Sequence, residues 1–461
     1  MNNDKDFLGT EPIGKLMVRL AVPTVAAQII NMLYNIVDRI YIGHIPNVGS
    51  LALTGVGVCM PLILLVAAFA ALVGNGGAPR ASIFMGQGDY DSAEHTLGNC
   101  FFMQILVSVT LTAVLWLWNE PILLMFGASQ NTIQYAVDYM NIYALGTLFV
   151  QMTLGMNAFI TAQGFSKTSM LSVLIGAGAN IILDPIMIFG FGMGVKGAAW
   201  ATVISQSLSC IWVLTFLFGK KTILHIRRKY LMLRRKIIVP CLSLGLSMFV
   251  MQATESVINV AFNSSLLRYG GDLAVGAMTI LTSVMQFSNL PVQGIGQGCQ
   301  PILSYNYGAC KPSRVKKAFK LLLRADFIYA NSLWLMVMLF PGLFIGMFTT
   351  DPELLAFAKT PLRIYMAING MFSIQSACQV AFTSLGNAKA SITVAVMRKI
   401  ILLIPLIYIM PMLLPGNQTM AVYIAEPIAD FLSVTFTIVL FSTQFKKAIA
   451  SISGAESTEE A

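Results

Sequence analysis

Five acidic residues stand inside stretches that are otherwise apolar, and carboxylates placed this way handle cations. Asp38 ends the run QIINMLYNIVDRIYIG, Asp184 lies in ANIILDPIMIFG, Glu255 in SMFVMQATESVINVAF, and Glu426 and Asp430 in YIAEPIADFLSV. A charge in apolar surroundings costs about 3 kcal/mol or more, so it persists where it faces a wet cavity or a counter-charge. Asn180 and Asp184 are four apart and share one helix face. Pro185 removes a backbone donor, which opens the helix locally and frees carbonyl oxygens for a cation. Two blander readings stand beside these: an ion pair or interface position for Asp38, next to Arg39, and a helix-end carboxylate for Asp184. Glu255, three residues after Gln252 and four before Asn259, makes a polar stripe. That stripe serves either a substrate or a hydrogen-bonded contact between helices. Glu426 and Asp430 form a second pair four apart, with Pro427 between them, and serve either a cavity or helix packing.

Other chemistries find little support. The three histidines, His44, His95 and His225, lie far apart in predicted loops, which argues against a metal centre and against an enzyme. Six of the seven cysteines lie in apolar segments without a CxxC, so no disulfide is expected. The glycine-rich strings at Gly74, Gly76, Gly77 and Gly294, Gly296, Gly298 follow no strand, which makes them packing or bending sites rather than phosphate cradles. Methionine and phenylalanine are abundant, 27 and 28 residues; they suit adaptable binding surfaces as well as lipid-facing ones.

The elements that position the acids are membrane helices. The chain has 461 residues, 56% hydrophobic and 11% charged, with a mean hydropathy of +0.75, beyond the range of soluble domains. About 20 apolar residues cross a bilayer core. Apolar runs of that kind begin near residues 16, 51, 97, 133, 166, 197, 238, 273, 319, 358, 391 and 419. No cleavable leader is expected, because MNNDKDFLGTEPIG carries acids where a leader carries bases. Gly219 to Lys236 holds eight Lys or Arg among eighteen residues and no acid, marking a cytoplasmic loop. Arg80 to Glu94, Lys167, Lys311 to Arg324 and Lys389 to Lys399 fall on the same side, so both termini are expected in the cytoplasm. The formal charge of +9 is thereby explained by topology, and nucleic acid is not an expected partner.

The two halves repeat. Leu51-Ala52, Gly74-x-Gly76, Pro79, Ser82, Gly86, Tyr143, Gly164 and Lys167 recur 222 positions later as Leu273-Ala274, Gly296-x-Gly298, Pro301, Ser304, Gly308, Tyr365, Gly386 and Lys389. The predicted organisation is an N-terminal segment (1–15), a first lobe of six helices (16–218), a basic linker (219–237), a second lobe of six helices (238–445) and a tail (446–461). Two six-helix copies of the same orientation imply an axis along the membrane normal and a cleft between lobes, the plan of an alternating-access transporter.

The twelve-segment plan, Pro23 and Gln28 in the first segment, and above all GGDLAVGAM and PVQGIGQGCQPILSYNYGA within Gly270 to Ala309 resemble the multidrug and toxic compound extrusion (MATE) family, especially its bacterial MepA-like branch. The resemblance covers about residues 10 to 445. It implies an all-α polytopic protein of a bacterial plasma membrane that exports amphipathic, often cationic, drug-like molecules by antiport against inward H+ or Na+; the two-lobed chain itself reads as self-sufficient, which makes a monomer the expected functional unit. Transferred residue by residue, the family's first-lobe cation site falls on Asp38, Asn180, Asp184 and Thr202, with Tyr139 approaching it. The family's seventh-segment acid falls on Glu255, which with Gln252, Asn259, Glu426 and Asp430 makes a candidate substrate contact set. The second-lobe carboxylate of some members has no match, since Asn369 and Gln375 are the polar residues there, which favours coupling in the first lobe. A desolvated carboxylate takes a proton more readily, and hard oxygens from Asp38, Asn180, Asp184 and Thr202 suit sodium. The competing expectation is a flippase for lipid-linked oligosaccharides. It requires a strongly basic cavity, whereas the segment interiors read as acidic and the bases read as loop residues.

Overall fold

The computed structural model describes residues 6–46 and 48–459; residues 1–5 of the expected N-terminal segment and 460–461 of the expected tail lie outside the described residues. Twelve long helices follow a short turn at Phe7–Thr10. The first lobe holds α1 (Ile13–Gly43), α2 (Gly49–Gly86), α3 (Tyr90–Met125), α4 (Ile133–Ala162), α5 (Ser166–Pro185, extended by a π turn at Ile186–Gly190) and α6 (Val195–Phe218). The second lobe opens on a continuous run, Arg235–Gly308, which Gly271 at φ 65° divides into α7 (235–270) and α8 (272–308). It continues with α9 (Pro312–Leu339), α10 (Pro352–Tyr365 and Asn369–Ser384), α11 (Ala388–Leu413, with a π turn at Met397–Leu403) and α12 (Gln418–Glu459).

Two helices start ahead of their apolar runs because of the residues at their first turns. Asp89 accepts from the Ser92 amide and starts α3 at Tyr90, ahead of the apolar run that begins near 97. Pro312, pre-set for a first helical turn, starts α9 ahead of residue 319. The stretch expected as a tail continues α12 as helix to Glu459, because Phe441 and Phe445 pack on Phe319 and Ile449 and Ile452 are buried.

The repeat is visible in backbone geometry. Gly164 and Gly386 both have positive φ, 85° and 73°, and end α4 and α10 with the same pair of reversing hydrogen bonds. Gly88 ends the α2 side of the α2–α3 turn at φ 76°; its counterpart 222 residues later is Cys310, at φ 52°. The amide after each left-handed residue bonds five residues back, Asp89 to Phe84 and Lys311 to Asn306.

Four of the duplicated glycines, Gly76, Gly86, Gly298 and Gly308, lie between the lobes. A Cβ on Gly76 would strike the backbone of Cys241 and Gly245 on α7, and one on Gly298 would strike Ala21 on α1. Gly86 of α2 meets the Tyr305 carbonyl of α8, and Gly308 of α8 meets the Ile83 carbonyl of α2. The last two contacts exchange under the 222-residue offset, as a two-fold axis requires.

Two leading segments cross over at this joined end. Residues 6–11 precede α1 but hold the second lobe: the Tyr305 hydroxyl donates to Asp6 (2.9 Å), Asn306 and Arg314 to the Leu8 carbonyl, and Lys311 to that of Gly9. The linker before α7 lies instead on the first lobe. There the Gln163 Oε1 accepts from Thr222, Ile223 and Leu224, Arg227 pairs with Glu94, and the Tyr230 hydroxyl donates to Asp91.

Buried apolar side chains divide accordingly. One cluster spans both lobes at the joined end, containing Leu8, Leu20, Val73, Ile302, Val315 and Ile452. Toward the other end there are two, one in each lobe: one around Ile42, Val56 and Tyr139, the other around Phe262, Leu281 and Tyr423. The lobes therefore share a core at the end that carries both described termini and part toward the opposite end.

Candidate functional site

The first-lobe residues converge between α1, α4, α5 and α6. Asp184 and Asn180 are buried on one face of α5, and the Asn180 Nδ2 donates to Asp184 Oδ1 at 3.3 Å. The carboxyl groups of Asp38 and Asp184 lie within hydrogen-bonding reach of one another. Tyr139, buried on α4, has Asp38 within Coulombic reach and Thr202 of α6 within hydrogen-bonding reach, and it stacks on Tyr143 with ring centroids 6.2 Å apart. Tyr34, one turn before Asp38 on α1, faces both acids. Buried oxygens of Asp38, Asn180 and Asp184 have no hydrogen-bond donor among the described residues. Pro185 widens the helix into the π turn at Ile186–Gly190 without ending it, a distortion common at functional sites. Two adjacent carboxyl groups with undonated oxygens hold a proton or a metal cation between them far more readily than they hold two bare charges.

The second-lobe acids are ion-paired. Arg398 donates to Glu426 (Nη2 to Oε1, 2.9 Å) and to Asp430 (Nε to Oδ1, 2.7 Å), with its guanidinium 4.1 Å from the Phe372 ring centroid. Lys399 Nζ lies 2.6 Å from Glu255 Oε2. Glu426 and Asp430 share one face of α12, as their spacing predicts. Glu255 keeps 46% of its side chain accessible on α7, and Gln252 and Asn259 are half-buried on the same helix. Lys389 to Lys399 read as one basic loop; the structure instead buries Arg398 and Lys399 within α11, in its π turn. Three apolar-segment carboxylates need counter-charges, and the middle of Ala388–Leu413 supplies two; that need was the available signal. Segment interiors thus contain bases as well as acids.

A sixth interior acid escaped the sequence reading. Asp326 on α9 is fully buried beside Cys299, and neither of its oxygens has a hydrogen-bond partner among the described residues. It stands two residues after Arg324 and so reads as part of a basic loop. The repeat was its signal: Asp326 lies 222 after Gln104, which is also fully buried and donates to the Ala70 carbonyl at 3.0 Å.

Among the described residues, all seven cysteines are free thiols. A family model described as MatE matches residues 23–186 and 247–409. The chain is similar to the multidrug export protein MepA of Staphylococcus haemolyticus (strain JCSC1435), 25% identical over 362 residues, 78% of this chain and 79% of that one. It is also similar to the protein of the same name in Staphylococcus aureus (strain MSSA476), 23% identical over 408 residues, 88% of each. The solved structure described as MATE in the straight conformation shares its fold, with a TM-score of 0.89 at 21% identity over 98% of this chain and 99% of that one. With both lobes matched by the family model, each carrying the same six-helix plan, the chain belongs to the MatE family, whose members are transporters, and to its MepA-like branch.

Proposed function

We propose that the chain exports amphipathic, often cationic, small molecules by alternating access, in exchange for protons or sodium ions that enter through the first lobe. The observation that carries this reading is the meeting of Asp38 and Asp184, with undonated oxygens, between helices of the first lobe. A proton on either carboxyl group meets its demand for positive charge, and so does a sodium ion held by oxygens of Asp38, Asn180, Asp184 and Thr202. The basic loops support an orientation with the joined end on the cytoplasmic side of a bacterial plasma membrane. The cleft then faces outward, the state in which a drug departs and an ion arrives. Each ligand shifts the equilibrium between outward- and inward-facing forms by as much as it prefers one of them. The multidrug export named for the relatives supports the substrate class.

The flippase reading requires net positive charge in the cleft. Arg398 and Lys399 are interior bases, but Glu255, Glu426 and Asp430 outnumber them, so the charge count disfavours it. The test is reconstitution of the full chain in vesicles with an imposed proton or sodium gradient, following ethidium. Gradient-driven ethidium movement that disappears in Asp184→Asn, with the variant still folded and inserted, is the expected result. Unchanged transport by Asp184→Asn, or flux that needs no gradient, sinks the reading.

A further inference from the structure

The second-lobe charges do not cancel. Glu255, Glu426 and Asp430 face Arg398 and Lys399, leaving one negative charge in excess when all are ionised. Their placement is uneven as well. Arg398 is fixed, shared between two carboxylates and stacked on Phe372. Lys399 is held by Glu255 alone, and Glu255 is the half-exposed member, at 46%, against 4% or less for Glu426 and Asp430. Lys399 also lies within Coulombic reach of Glu426, and the Tyr365 hydroxyl lies within reach of Glu255, Glu426, Asp430 and Arg398. The cluster is therefore one electrostatic unit with one exposed carboxylate and one lysine that has a second place to go.

We propose that Lys399 competes with the substrate for Glu255. An organic monocation entering the cleft takes the exposed carboxylate, and the Lys399 ammonium turns to the carboxylates of Glu426 and Asp430, which a single guanidinium leaves over-supplied. No charge is then stranded, which is what burial demands. The loaded cluster sums to zero, so the lobe accepts one positive charge and disfavours an anion or a second cation. Rejection built into the unloaded pair sorts ligands by charge without sorting them by shape. This deepens the export reading and rests on it.

The test uses the full chain in lipid nanodiscs and two probes of nearly equal shape and opposite sign, tetraphenylphosphonium and tetraphenylborate. Wild type is expected to prefer the phosphonium. Removing the competitor with Lys399→Met or Lys399→Gln should tighten phosphonium binding by about tenfold, equivalent to about 1.4 kcal/mol, because the carboxylate no longer has to be released from the ammonium. Glu255→Gln should weaken it by a similar factor, and Lys399→Arg, which keeps the competitor, should not tighten it. Unchanged or weaker phosphonium binding in both neutral Lys399 variants, with wild-type unfolding midpoints, overturns the proposal while leaving the export reading intact. Failure of wild type to bind phosphonium, borate or a neutral amphipathic dye removes the export reading itself.

Discussion

Asp184 and Arg398 show how differently two buried charges depend on their neighbours. Asp184 has one weak donor, Asn180 at 3.3 Å, and an oxygen with none, so Asp184→Asn leaves packing largely intact and removes the proton- or metal-binding group. Its expected signature is lost transport with an unfolding midpoint near that of wild type. Among the described residues, Arg398 is the sole base hydrogen-bonded to Glu426 and Asp430. Arg398→Met strands two carboxylates and should cost about 3–5 kcal/mol, the usual price of breaking a buried pair, read as a lowered thermal midpoint in detergent. Cys310 carries a left-handed backbone, φ 52°, where the first copy has glycine. Cys310→Gly should stabilise by about 1 kcal/mol by relieving the Cβ clash of that conformation, measured by the same melts. Which residues carry charge inside the apolar helices was legible for five acids, because a lone carboxylate in an apolar run stands out. Arg398, Lys399 and Asp326 were hidden by neighbouring bases that made each look like part of a loop.

At the scale of the helix, apolar runs of spanning length located all twelve long elements, and the lack of a preceding strand assigned the glycines to packing or bending. A strict 3.6-residue period does not anticipate a π turn. The one extra residue in Met397–Leu403 lets adjacent Arg398 and Lys399 both point inward, and it left no mark in the hydropathy pattern. The glycine contacts yield a direct test. Gly76→Val and Gly298→Val place branched carbons against the Cys241 and Ala21 backbones, so α2 and α7, or α1 and α8, cannot approach. Spin-label distances across the joined end should lengthen and transport should fall, whereas Gly178→Ala, with open space around its Cβ position, should change neither.

The whole molecule is symmetric in backbone and asymmetric in charge. Counterparts of Asn180, Asp184 and Thr202 at the 222-residue offset are Leu402, Leu406 and Ile424, all packed on the apolar cluster of the second lobe. The first lobe therefore carries the Asp38–Asp184 pair with undonated oxygens, and the second carries an ion-pair network built from other residues. The duplicated plan was legible in Gly, Pro and Lys matches; the division of charge depended on where α11 and α12 bring their residues together. The crossing segments bear on the state of the whole: Arg314 donates to the carbonyls of both Leu8 and Glu11. Arg314→Ala should shift the population toward forms parted at the joined end, seen as faster alkylation of a cysteine introduced at Gln87, beside the cavity between Asp6, Tyr90 and Tyr305.

The crossing also orders the events of synthesis. The linker docks backward onto a lobe that already exists, so the first half is tied off as soon as Tyr230 and Arg227 emerge. Residues 6–11 must wait for Tyr305 and Arg314, nearly three hundred positions later in the sequence. A ribosome-bound half-chain consequently lacks the fastening for its own beginning, which exists only once the second lobe has been made as far as Arg314.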